Sequence, residues 1–132
     1  MAYVLLGVVG GAELLGRVSG ARVVALGQGM GLLPDVRGAV SDGELGAWSA
    51  AGAVARVEAE FFGGVGEQWA TVWEGGAVVL GPLHAPEGEP LPAEGSPISR
   101  ALRRLGVIAA AGEDEFATVG LGRCRDTEDW LD

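Results

Sequence analysis

The chain has 132 residues, of which 48% are hydrophobic, and a formal net charge of −9 at pH 7. A chain of this length and apolar content fits one domain with a single core. Its negative field would repel phosphate backbones and anionic lipids, so we expect neither nucleic acid nor a membrane surface as a partner. A basic protein partner suits this charge better.

The first part of the sequence predicts a strand, a short helix and two further strands. Residues 3–9 are apolar and rich in β-branched side chains, and they are too few to span a membrane. No Lys or Arg precedes them, which argues against a signal peptide. Ala12 opens a helical pattern, and residues 22–26 and 30–33 have the composition of strands. The single cysteine, Cys124, permits no internal disulfide, so we expect a cytoplasmic protein.

Two short motifs lie between these strands and the middle of the chain. Residues 27–31 have the G-x-G spacing of a dinucleotide-binding loop, but Leu-Leu-Pro follows them instead of a helix, so no Rossmann site is expected. Ser41 followed by Glu44 forms a capping-box pattern. This pattern predicts a helix over residues 45–51 that ends at Gly52.

Residues 53–83 predict a three-stranded antiparallel meander. In the first strand, small and apolar residues alternate with Arg56, Glu58 and Glu60. Because successive side chains of a strand point to opposite faces, one face should be core and the other wet. A glycine-rich turn at residues 63–66 leads into the second strand.

The second turn of this meander is Gly75-Gly76, which predicts a primed two-residue hairpin turn. Primed turns match the twist of the strands that they join. The register that this turn sets places Trp73 opposite Val78 and Thr71 opposite Leu80.

A loop and a helix follow the meander. Residues 84–95 contain three prolines and three glutamates, and we interpret them as a surface loop. Ser96 is a favourable N-cap and Pro97 a favourable first helical residue. The helix should continue to Leu105, with Gly106 as a left-handed C-cap.

The C-terminal part predicts one more short helix and an anchor. Acidic residues at 113–115 favour a helix start, and Phe116 and Val119 share the apolar side of that helix. Gly120 should end it. Residues 130–131 are an aromatic and aliphatic anchor.

Together these elements predict a single α+β domain over residues 1–132. We expect a mainly antiparallel sheet with a central three-stranded meander. The helices at residues 45–51 and 97–105 should pack largely on one face of the sheet, over its apolar side.

Catalytic and metal chemistry find little support in the sequence. No nucleophile, base and orienting group occur at a recognisable spacing, so no catalytic residue and no cofactor is expected and a non-enzyme is favoured. His84 and Cys124 each occur once, which excludes an ordinary zinc site, and a dyad of the two would need a tertiary contact. Glu58, Glu60 and Glu67 could hold Mg²⁺ or Ca²⁺, but a solvated acidic face is the preferred interpretation.

The turn at residues 63–66 is the best candidate site, because glycines let a ligand or another backbone approach closely. A wide hairpin turn with left-handed positions would explain the same glycines without any site. The predicted ligand- or partner-binding residues are Glu58, Glu60, Phe62, Gly63, Gly64, Gly66 and Gln68.

Two segments carry a resemblance. Residues 58–68 and residues 114–123 resemble elements of a family of small bacterial proteins without an assigned activity. The resemblance implies a compact α+β domain in which the hairpin and the C-terminal segment matter, and it brings no catalytic or cofactor residue. In size and acidity the chain is also similar to immunity proteins that neutralise toxins.

Three functional hypotheses follow. The first is a non-catalytic acidic module that binds a basic protein partner in an immunity-type or regulatory role. The alternative is a small ligand-binding domain or enzyme that uses Glu58, Glu60 and Gln68 around a concave site at the glycine turn. The third is a homo-oligomer formed through a face carrying Trp69 and Trp73, if the helices leave it open.

Overall fold

The structure is a computed structural model that describes residues 2–63, 65–90 and 92–131. Six strands form one antiparallel sheet in the order β2-β3-β1-β4-β5-β6. The strands are β1 (Ala2–Gly11), β2 (Val24–Ala25), β3 (Met30–Pro34), β4 (Val54–Phe62), β5 (Val65–Glu74) and β6 (Ala77–Ala85). The helices are α1 (Ala12–Ser19), α2 (Asp42–Trp48), α3 (Pro97–Arg104) and α4 (Glu115–Val119). The predicted α+β class and the mainly antiparallel sheet are confirmed.

The last three strands form the predicted meander, with β6 at the edge of the sheet. Gly75 and Gly76 have φ angles of 63° and 89°, as a primed turn requires. Trp73 lies opposite Val78, as predicted. The second predicted pair is wrong, because register shifts in this ladder place Leu80 opposite Val72 instead of Thr71.

One face of the sheet packs against α3 and α4, and we term it the α3 face. Its core contains Val57 of β4 and Val72 of β5, together with Ile98 and Leu102 of α3. The N-cap of α3 is Ser96, whose hydroxyl accepts a hydrogen bond from the Ser99 backbone at 3.3 Å. The predicted start of this helix is therefore confirmed, and its end at Arg104 lies one residue before the predicted Leu105.

The opposite face, termed the α2 face, packs against α1 and α2 through a separate core. That core contains Val8, Leu15, Leu33, Leu45, Val54 and Trp73. Because Val54 neighbours Ala55 of the other core along one strand, the two cores lie on opposite sides of the sheet. The expectation that α2 and α3 share one face is thus wrong. The reason is that the first part of β4 is apolar on both of its sides.

The ends of α2 and β6 differ from the prediction. The capping box of Ser41 and Glu44 is present, but α2 ends at Trp48, before the predicted Gly52. Strand β6 continues through Pro82 to Ala85, into residues expected to be loop. An edge strand tolerates proline because one side of it needs no backbone donor.

The C-terminal segment completes the outer edge of β1 beyond the end of β3. The backbone N–H of Val4 donates to the Arg125 carbonyl at 2.7 Å. The hydroxyl of Thr127 accepts from the Leu6 backbone N–H at 3.0 Å and donates to the Val4 carbonyl at 3.1 Å. The predicted anchor Trp130 is buried nearby in the α3-face core.

Candidate functional site

The α2 face is covered by helices only at one end. At its other end, Glu58 lies opposite Trp69, Glu60 lies opposite Glu67, and Trp69 lies opposite His84. Directly opposed residues of an antiparallel pair project to the same side of the sheet. These five side chains therefore form one surface, which we term the acidic sheet end.

Aromatic stacking and one polar contact organise this surface. The rings of Trp69 and His84 are stacked with centroids 4.8 Å apart and an interplanar angle of 7°. His84 Nε2 lies 2.7 Å from Glu67 Oε2. Strand β6 thus places the His84 imidazole where it stacks on the indole ring and contacts the carboxylate of Glu67.

The carboxylates of the acidic sheet end are crowded by one another. Glu60 and Glu67 are directly opposed, and Glu58 is two residues from Glu60 on the same side of β4. Like charges that face each other across a ladder destabilise it. Among the described residues, Glu58 and Glu60 form no ion pair. The three ion pairs of arginine side chains involve Asp42, Glu74 and Glu115.

A depression of about 170 Å³ opens beside these carboxylates. It is lined by Glu60, Phe62, Val65, Gly66, Glu67, Trp69 and Glu87. Carboxylate oxygens next to an indole ring are suited to a guanidinium or ammonium group. The local chemistry of the depression is therefore that of a site for an organic cation.

Inorganic metal chemistry fits less well. Within the described part of the chain, no group of three or more His, Cys, Asp or Glu side chains is arranged to hold a metal ion. His84 stacks on Trp69 of the α2 face, whereas Cys124 packs against the α3-face core. The structure therefore does not bring these two residues together as a dyad.

The described residues around the predicted glycine turn are exposed at its two flanks. Gly63 has a φ of 61°, and the flanking side chains of Phe62 and Val65 are 58% and 49% exposed. Gly64 lies outside the described residues. Gly66 belongs to β5, where an added Cβ would lie 2.6 Å from the Phe61 Cα, so the close approach of the two strands requires glycine there.

The predicted site residues are divided between the two faces. Gln68 lies opposite Ala59 on the α3 face, and its Oε1 accepts a hydrogen bond from the Ile98 backbone N–H at 3.1 Å. Glu58 and Glu60 lie on the α2 face, away from Gln68. The even numbering shared by all three residues hides this division, because the turn between the strands reverses which positions face each side.

Trp69, His84 and Glu87 are not among the predicted site residues. The sequence predicts Trp69 on a ring-bearing face, and its opposition to Glu58 follows from the register in which Phe62 pairs with Val65. The position of His84 depends on the register shifts of β6, which the sequence pattern does not reveal. Trp73 is buried beneath α1 and α2, so the two rings do not form an open surface for self-association.

Comparisons of this chain with protein-family models, with curated proteins and with solved structures found no match. The resemblance of residues 58–68 and 114–123 to small bacterial proteins stays a prediction. Among the described residues, every helix is too short or too polar to cross a lipid bilayer.

Proposed function

We propose that this protein is a non-catalytic binding module whose acidic sheet end takes an arginine- or lysine-containing segment of a basic protein partner. The observation that carries the proposal is the direct opposition of Glu60 and Glu67 beside the ring of Trp69. We further propose an immunity-type or regulatory role in the cytoplasm, consistent with the single cysteine and the acidic composition.

A cation from a partner would complete this surface chemically. A guanidinium group can donate two parallel hydrogen bonds to a carboxylate and lie flat on an aromatic ring. Binding such a group between Glu60 and Glu67 would also relieve the repulsion between them. The isolated protein thus holds a charge arrangement that is more favourable with a partner than without one.

The charge of the whole molecule supports the same partner chemistry. A net charge of −9 attracts basic proteins over several ångströms and accelerates their encounter. Screening by salt weakens such steering, because the Debye length is about 10 Å at roughly 0.1 M ionic strength. Binding at the acidic sheet end should therefore be sensitive to salt.

Isothermal titration with an acetylated and amidated peptide of alternating Arg and Gly residues tests the proposal. We expect saturable binding at about 0.05 M NaCl and clear weakening at about 0.5 M NaCl. The double variant Glu60→Gln/Glu67→Gln should bind about tenfold more weakly, since it removes both opposed carboxylates.

The matched control is Glu94→Gln/Glu128→Gln, which changes net charge equally at two exposed positions outside the acidic sheet end. It should retain most of the affinity. Equal weakening in both double variants would show that general charge, and not this surface, binds the peptide. Failure of the wild-type protein to bind at low salt would also contradict the proposal.

A further inference from the structure

A second concavity lies on the α3 face, across the sheet from the acidic sheet end. It has a volume of about 310 Å³ and is lined by Tyr3, Phe61, Gln68, Phe116, Gly122 and Arg125. We term it the aromatic pocket. Its volume falls at the lower end of the range of ligand sites in proteins, roughly 300 to 1,000 Å³. What it binds is independent of the function proposed above.

Aromatic rings form three sides of this pocket. Tyr3 of β1 lies opposite Phe61 of β4, and the Tyr3 ring meets Phe116 of α4 edge to face, with centroids 5.6 Å apart. The Tyr3 hydroxyl already donates to the Leu121 carbonyl at 2.8 Å. Burial, and then the nearby Cys124 thiol, raise the pKa of Tyr3, so its ring stays neutral. These walls offer ring faces and edges to an apolar, planar body.

Gln68 contributes an oriented donor to the same pocket. Its Oε1 is fixed by the hydrogen bond from the Ile98 backbone N–H, at the first turn of α3. The amide Nε2 is consequently left as a donor, and it has no acceptor among the described residues. A side-chain amide that is held in this way favours an oxygen acceptor on a bound molecule.

Arg125 supplies a positive charge at the rim. Its backbone carbonyl is tied to the Val4 N–H at 2.7 Å, which fixes the position of the residue beside β1. Within the described ranges, its guanidinium makes no ion pair with a carboxylate. A guanidinium group favours planar, bidentate oxyanions.

We propose that the aromatic pocket binds a small aromatic carboxylate. The ring of the ligand would pack among Tyr3, Phe61 and Phe116, and its carboxylate would accept hydrogen bonds from Arg125 and Gln68. This donor set selects an anion although the protein as a whole is acidic. The positive rim and the apolar walls must therefore act together.

Two-dimensional NMR titration of the full chain with benzoate tests this proposal. We expect saturable amide shifts at residues 3, 61, 68, 116, 122 and 125, with a Kd of about a millimolar. Benzamide lacks the negative charge, and acetate lacks the ring, so each should bind about tenfold more weakly. Shifts that are equal for benzoate and benzamide would overturn the proposal.

Two variants test separately the contribution of the Arg125 charge and that of the cavity. Arg125→Gln should weaken benzoate binding about tenfold, whereas Arg37→Gln, at an exposed arginine outside the pocket, should leave it unchanged. Gly122→Leu should abolish binding by filling the pocket, since an added Cβ there lies 3.9 Å from Phe116 Cε1. Unchanged affinity in Arg125→Gln, or absence of saturation with the wild-type chain, would refute the proposal.

Discussion

Strand β4 presents two different surfaces to the two sides of the sheet. Toward α3, Ala55, Val57 and Ala59 are buried in one continuous core. Toward α2, the same strand begins with buried Val54 and is exposed at Glu60 and Phe62. From Ala55 to Ala59 the α3 face of β4 therefore stays core, whereas the α2 face changes along the same strand from core to a candidate binding surface.

Arg56 marks the middle of this change on the α2 face. Its guanidinium lies 5.6 Å from the centroid of the Trp73 ring and pairs with Asp42 at the start of α2. It also donates a hydrogen bond to the Val40 carbonyl. Arg56 thus lies between the part of the α2 face that the helices cover and the part that is polar and open.

Leu102→Ala should have the largest effect on stability. A small effect would contradict the assignment of the α3 face as core. Leu102 is 0% exposed in the core of the α3 face. Truncation would leave a cavity there, so we expect the free energy of unfolding to fall by about 3 kcal/mol. Urea denaturation followed by circular dichroism measures this loss. Leu131→Ala, at a side chain that is 52% exposed, is the control and should change little.

Ser41→Ala should have an intermediate effect through α2, which covers the other face. The Ser41 hydroxyl accepts from the Glu44 N–H at 3.1 Å, and the Glu44 carboxylate accepts from the Ser41 N–H at 3.2 Å. Loss of the cap should lower the free energy of unfolding by about 1 kcal/mol. Ser41→Thr keeps the hydroxyl and should restore most of it. An unchanged urea midpoint in Ser41→Ala would show that α2 does not depend on this cap.

Glu115→Gln should have a smaller effect that varies with pH. Arg103 Nε lies 2.9 Å from Glu115 Oε2, and this hydrogen bond holds the pKa of the Glu115 carboxyl below its usual value. The unfolded chain, with a Glu pKa of about 4.3, therefore takes up this proton first as pH falls. The stabilisation is complete above that value and is lost as pH falls through the folded-state pKa.

Chemical denaturation at several pH values, from about 6 down to about 3, measures this dependence. The stability difference between wild type and Glu115→Gln should be largest at the upper end and shrink toward the lower end. A double-mutant cycle with Arg103→Gln isolates the pair. Coupling that is independent of pH would contradict the assignment.

Glu60→Gln should have the smallest effect on stability, with the opposite sign. Removing one of two directly opposed carboxylates should raise the free energy of unfolding by about 0.2–1 kcal/mol. The shift in urea midpoint against a Glu94→Gln control measures this change. Destabilisation by Glu60→Gln would mean that the acidic sheet end contributes to the fold, and it would remove the contrast between the two faces.

Much of the fold was predictable from local patterns. The alternation of β4, the positive φ angles of Gly75 and Gly76, and the caps at Ser41 and Ser96 all depend on neighbouring residues. The placement of α2 was not predictable in this way. It depends on whether Val54 or Ala55 meets the helix, and both are apolar.

The candidate site was only partly predictable for a related reason. Glu58 and Glu60 follow from the wet side of β4, and Glu67 follows from its place across the turn. The faces on which Gln68 and His84 lie depend on the strand register after the hairpin and after the register shifts of β6. A change of one residue in register moves a side chain to the other face.

The contacts of Arg125 and Thr127 with β1 have a consequence for the order in which the protein folds. A strand near the start of the chain receives the partners for its outer edge from residues more than a hundred positions later. Nascent chains emerge with their N-terminal part first, so Val4 and Leu6 cannot form these hydrogen bonds until that segment is synthesised. Completion of the sheet is thus coupled to completion of translation through this region.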